Sequence, residues 1–125
     1  MRALGSPLAA ALVLAAMPAA ATAHAVLVTS VPASRAVLTQ PPTRVELEFS
    51  ERLEPAYSTL SVWNDRGERV DGNGVPVVAA SGRRLVLVVP VLEPGRYIVR
   101  YRVLSVDGHV VDASVPFTIA PRAPR

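Results

Sequence analysis

Apolar and polar residues alternate along most of this chain, in short runs cut by proline, glycine and asparagine. A period of two sets one face of an extended segment against a core and the other in water. A helix needs a period of 3.6 and cannot satisfy the same pattern. In Arg44–Ser50, Val45, Leu47 and Phe49 share one side, and Arg44, Glu46, Glu48 and Ser50 the other. Thr59–Trp63 alternates likewise, with Leu60 and Val62 inward. Arg84–Val89 reads as a nearly continuous apolar strand. Gly95–Leu104 sets Tyr97, Val99, Tyr101 and Val103 on one face and Arg100 and Arg102 on the other. Val111–Ile119 sets Ala113, Val115, Phe117 and Ile119 on one face. His24–Thr29 is expected to form a first strand, Glu68–Asp71 a short one, and Pro32–Pro42 a loop around the apolar Ala36-Val37-Leu38. Turns fall at Asn64–Gly67, Gly72–Gly74 and Leu92–Gly95, where the residue types favour chain reversal. The expectation is an all-β fold: an immunoglobulin-like antiparallel β-sandwich of Greek-key type with about seven strands.

A chain of 125 residues holds one such domain. Twelve prolines argue against long helices. The chain has no cysteine, which excludes disulfides, thiolate metal sites and cysteine nucleophiles. The formal charge of +3 comes from 13 arginines and no lysine, spread without a dense run, so nucleic acid is not an expected partner. Trp63, Tyr57, Tyr97 and Tyr101 are too scattered for a carbohydrate-binding platform and are expected to pack in the core or at corners.

Residues 1–23 have the pattern of a cleaved secretory signal peptide. Arg2 supplies a positive start, Ala3–Ala16 an apolar stretch, Pro18 a break, and Ala21-Thr22-Ala23 the small-x-small cleavage pattern. The apolar stretch is shorter than the about 20 residues a bilayer span needs. With no cysteine to carry a lipid and no apolar C-terminal segment, no stable membrane anchor is expected, and residues 120–125 read as a flexible tail. Cleavage after Ala23 makes His24 the first residue of a periplasmic or secreted protein with formal charge lowered to +2 by the loss of Arg2. Two other registers, starting at Thr22 or Val26, fit the same rule.

The chain has two histidines, and each sits where metal chemistry is plausible. An N-terminal His24 offers an α-amine and an imidazole. His109 closes Ser105-Val-Asp-Gly-His109, where Asp107 lies two residues away and Gly108 gives the backbone freedom of a tight turn. Together they supply three nitrogens and one oxygen, a donor set suited to Cu(II), with tetrahedral zinc the less natural alternative. The plain alternative is a solvated histidine beside an aspartate that caps its own turn.

Three segments carry a family resemblance: His24-Ala-Val-Leu-Val-Thr-Ser-Val-Pro-Ala33, Val45-Glu-Leu-Glu-Phe-Ser-Glu51, and Pro94–His109 followed by Phe117-Thr-Ile119. They resemble the CopC family of extracytoplasmic copper-binding proteins over residues 24–119. The resemblance implies a β-sandwich that binds one Cu(II) through His24, Asp107 and His109. Glu51 lies at the position where some members place a carboxylate beside the metal, and the alternative for it is a solvated strand-end carboxylate. It also implies copper buffering, resistance or delivery, with a CopD-type inner-membrane copper transporter as partner and no enzymatic activity. Some members hold Cu(I) in a methionine-rich loop. Here the only methionines are Met1 and Met17, so no Cu(I) site is expected in the mature chain. Ser34-Arg35 stands where the family commonly has Asp-Gly. Two rival readings are a histidine-brace copper monooxygenase and a metal-free immunoglobulin-like interaction module.

Overall fold

The computed structural model of the protein describes Gly5 and residues 25–122. Among the described residues eight strands make two four-stranded sheets. The first sheet holds β1 (Leu27–Val31), β3 (Arg44–Phe49), β6 (Arg84–Val88) and β5 (Val77–Val78), in the order β1-β3-β6-β5. The second holds β2 (Ala36–Leu38), β8 (Val110–Ile119), β7 (Gly95–Leu104) and β4 (Thr59–Asn64), in the order β2-β8-β7-β4. Among the described residues the only helical element is a 3-10 turn at Pro55–Tyr57, and no helix is long and apolar enough to cross a membrane.

The period-two pattern is the cause of the packing. Val45, Leu47 and Phe49 of β3 and Leu85 and Leu87 of β6 face Leu60 and Val62 of β4, Val99 and Val103 of β7, and Val115, Phe117 and Ile119 of β8. Phe49 meets Tyr101 edge to face at 5.4 Å, and Tyr97 stacks on Phe117 at 5.3 Å. A side chain of this size, fully buried, stabilises a core by about 1.5–3 kcal/mol relative to exposure.

Several expectations need correcting. The all-β sandwich is as expected, with eight strands among the described residues, but one pairing is parallel. Ala36–Leu38 is not loop but strand, running parallel to Phe117–Ile119 of β8. A turn closed by the Ala36 amide on the Ala33 carbonyl, with Arg35 at φ 64°, aims it there. Glu68–Asp71 forms no strand: only a single bridge joins Arg69 to Trp63. Two backbone bonds, Val70 amide to Val62 carbonyl at 2.8 Å and Asn64 amide to Glu68 carbonyl at 2.9 Å, hold the segment to β4, and the Asp71 side chain adds a third by accepting the Val62 amide at 2.8 Å. Val77–Val78 is a strand the pattern did not announce, too short for alternation to register. Ala113 lies opposite the buried Tyr101, on the side expected from its alternation with Val115 and Phe117, but it is exposed rather than buried. Arg84–Val88 alternates after all, since Val88 is exposed. Tyr97 and Tyr101 are core residues, but Tyr57 and Trp63 are not.

Candidate metal centre

β7 and β8 form a hairpin in unbroken register from Gly95–Ile119 to Leu104–Val110, and residues 105–109 make its tip. Ser105 is fully buried and organises that tip. Its amide donates to the His109 carbonyl at 3.0 Å and its carbonyl accepts the Gly108 amide at 2.9 Å. Gly108 sits at φ 93°, a conformation L side chains rarely adopt, which is why glycine is needed between the two polar residues. The Ser105 hydroxyl bonds the Asp107 carboxylate and accepts the His109 amide at 3.2 Å.

These contacts bring Asp107 and His109 together, with Asp107 Oδ2 lying 3.2 Å from His109 Nδ1. Ligands about 2.0–2.1 Å from one ion at right angles stand about 3 Å apart, so the spacing suits neighbouring donors on one cation. The Ser105 hydroxyl holds the Asp107 carboxyl below the usual carboxylate range; partial burial opposes the shift and His109 reinforces it. Both side chains are about one-third exposed, open enough for an ion to reach.

The tip is fastened to the segment that follows β3. The Val106 amide donates to the Arg52 carbonyl at 2.9 Å, and Leu53 bridges Ser105. The same segment receives the start of the described chain. The Val26 amide donates to Ser50 Oγ at 2.9 Å, and the Ser50 amide to the Val26 carbonyl at 2.8 Å. Ala25 is buried beside them. Residues 50–53 are therefore the common neighbour of the chain start and the Asp107–His109 tip.

Of the sequence-expected site residues, Asp107 and His109 come together. Glu51 is half-buried in the shared segment, and among the described residues no three His, Cys, Asp or Glu side chains cluster as a metal site would require. His24 lies outside the described residues, as does the expected leader apart from Gly5. Ser105 was not singled out from the sequence. The available signal was a hydroxyl residue two positions before Asp107, at the end of a long strand.

Residues 27–120 match the family model described as the CopC domain. The chain belongs to the CopC family. The crystal structure of CopC from Methylosinus trichosporium OB3b matches with a TM-score of 0.75 and 35% identity, over 82% of this chain and 99% of that one. PcoC from Escherichia coli, described as a methionine-rich copper resistance protein, matches with a TM-score of 0.68 and 25% identity, over 78% of this chain and 99% of that one. The copper transport protein CutJ of Bacillus subtilis is 30% identical over 104 residues, 82% of this chain. The chain spans only 19% of CutJ, about a fifth of that relative's length. The sandwich of this CopC-family chain is thus shared with copper proteins both as a whole small protein and as one part of a larger one.

Proposed function

We propose that this chain is an exported Cu(II) carrier that holds one ion between its N-terminal histidine and the tip of the β7–β8 hairpin. The carrying observation is the shared neighbour: residues 50–53 bond both Val26 and Val106. His24 is one peptide unit ahead of Ala25, about 3.8 Å between Cα atoms. With cleavage after Ala23 it would bring an α-amine and an imidazole to the end of the sandwich that carries Asp107 and His109. The donors are nitrogen and oxygen, which favours Cu(II), and no thioether or thiolate follows residue 23 to favour Cu(I). Glu51 belongs to the shared segment and is the fourth candidate, subordinate to the other three. Copper is cargo in this reading, to be buffered in the periplasm or its equivalent or passed to a CopD-type membrane transporter. The occurrence of this domain as a fifth of CutJ, a copper transport protein, supports the transporter as recipient.

The test is the mass of the secreted protein with and without Cu(II), which reads the N-terminus and the stoichiometry together. A first residue of His24 and one copper per chain are expected. A different N-terminus with no bound copper overturns the reading.

A further inference from the structure

The outer faces of the two sheets differ in charge. On the first sheet, Arg44 pairs with Glu46 at 3.0 Å and Arg84 with Glu48 at 3.7 Å, so charge on that face is internally neutralised. On the second sheet, alternation along β7 turns Arg96, Ile98, Arg100 and Arg102 outward. The carboxylate opposite them on β8 is Asp112, which takes Arg102 at 3.4 Å. Asp65 stands at the rim, in the turn after β4.

Between these arginines runs an apolar row. Trp63 lies opposite Ile98, and Ile98 opposite Pro116. Val37 of β2 is exposed beside Thr118 at the far end, and Arg35, whose amide donates to the Pro116 carbonyl at 2.7 Å, borders the row. The Arg100 guanidinium lies over the Trp63 ring at 4.8 Å, and Trp63 Nε1 donates to Ser61 Oγ. Trp63 is thus held on the outer face rather than in the core.

We propose that this outer face of β4-β7-β8 is a docking surface for an anionic phospholipid bilayer. Arginines that exceed their local carboxylates seek phosphate and carboxylate headgroups. A tryptophan and an isoleucine between them suit the headgroup level, where an amphipathic ring is at home. A polyanion without an apolar phase uses the arginines but gives the Trp63–Ile98–Pro116 row nothing to bury against. Contact with this face leaves the hairpin tip at the perimeter: His109 is three residues before Asp112, about 10 Å along the strand toward the tip. The carrier can therefore rest on the membrane with its metal end open along the plane of the surface. The lipid contact itself does not depend on copper, whereas its use for delivery rests on the proposed function.

The experiment is co-sedimentation of the purified protein with vesicles of phosphatidylcholine alone or with about 30% phosphatidylglycerol, at low and high salt. Trp63 is the only tryptophan, so its emission reports this face directly. Binding is expected only with phosphatidylglycerol, with a blue shift of Trp63 emission and loss at high salt. Arg96→Glu with Arg100→Glu is expected to weaken it at least about tenfold, since each arginine is worth about fivefold. Arg44→Glu on the opposite face is expected to leave it within about twofold. Copper titration of the same variants reads the metal site separately, and unchanged copper affinity also shows that they fold. Absence of vesicle binding overturns the proposal. So does equal binding to both vesicles, an equal loss from Arg44→Glu, or binding to heparin or an acidic protein without binding to vesicles.

Discussion

Val26 and Ser50 exchange two hydrogen bonds, amide to hydroxyl at 2.9 Å and amide to carbonyl at 2.8 Å. The pair ties the beginning of the described chain to the segment that also carries the hairpin tip. An extra residue before His24 turns its α-amine into an amide, a poor ligand unless deprotonated. A Cu(II) competition titration at about pH 7.5 should show a loss of at least about tenfold for the extended protein. The loss should be smaller at about pH 5.5, where free amines and imidazoles, with reference values of about 7.7–8.0 and 6.5, already hold protons. Ser50→Ala should weaken copper binding less and cost about 1 kcal/mol of stability.

His109→Ala should reduce Cu(II) affinity strongly and leave the melting temperature of the copper-free protein nearly unchanged, because the side chain is about one-third exposed at a turn. Glu51→Gln should have a clearly smaller effect on affinity. Equal losses in titration would contradict the ranking of ligands.

Ser105→Ala should move the Asp107 carboxyl up toward its ordinary value, since the Ser105 hydroxyl is the main cause of its lowering. The folded value is depressed, so this group's contribution to stability is present above about pH 3.8 and is lost as pH falls through the lowered folded value. Carboxyl NMR titration of the two proteins would read the shift directly. An identical Asp107 midpoint in both would contradict it.

The Asp71 carboxylate is fully buried and accepts the Val62 amide, the Asn73 amide and the Arg69 guanidinium, each at 2.8–3.0 Å. Asp71→Ala removes the acceptor for the Val62 and Asn73 amides and should cost about 2–4 kcal/mol. Arg69→Ala should cost less, because that side chain is 38% exposed and its charge is screened by water. Urea unfolding with unchanged slope and a shifted midpoint is the expected signature.

Burial pushes the phenols of Tyr97 and Tyr101 above their ordinary value, with Glu93 and Asp65 adding to the effect at Tyr97. A raised folded value means that stability is fully present below about pH 10 and declines as pH rises through the folded values. Tyr97→Phe should flatten that decline, although it also loses the bond from Tyr97 Oη to the Glu93 carbonyl at 2.5 Å. Stability measured from about pH 8 to 11 for the two proteins checks it.

Alternation made the long strands legible. Gly95–Leu104 was readable because four buried positions, Tyr97, Val99, Tyr101 and Val103, alternate with exposed ones and leave one register consistent with a core. Two-residue and three-residue strands escape such a reading: Val77–Val78 and Ala36–Leu38 acquire their structure from partners distant in sequence. Trp63 falls in an alternating run, yet its face is set by register, which places it opposite Ile98 on the outside. At the site, Asp107 and His109 were visible from spacing and residue type. Ser105 was not, because its contribution depends on being buried at the strand end, which no local pattern encodes.

The placement of β8 has a consequence for how the polypeptide is made. Every strand of the first sheet has been synthesised by Val88, while the second cannot close until the chain reaches Ile119, because β8 lies between β2 and β7. A nascent chain stopped short of β8 can therefore pair the first sheet but leaves Val45, Leu47 and Leu87 without the Phe117 side of the core. The native core of this sandwich can be completed only once its last described strand has been made, so a chain still short of β8 cannot hold the native fold.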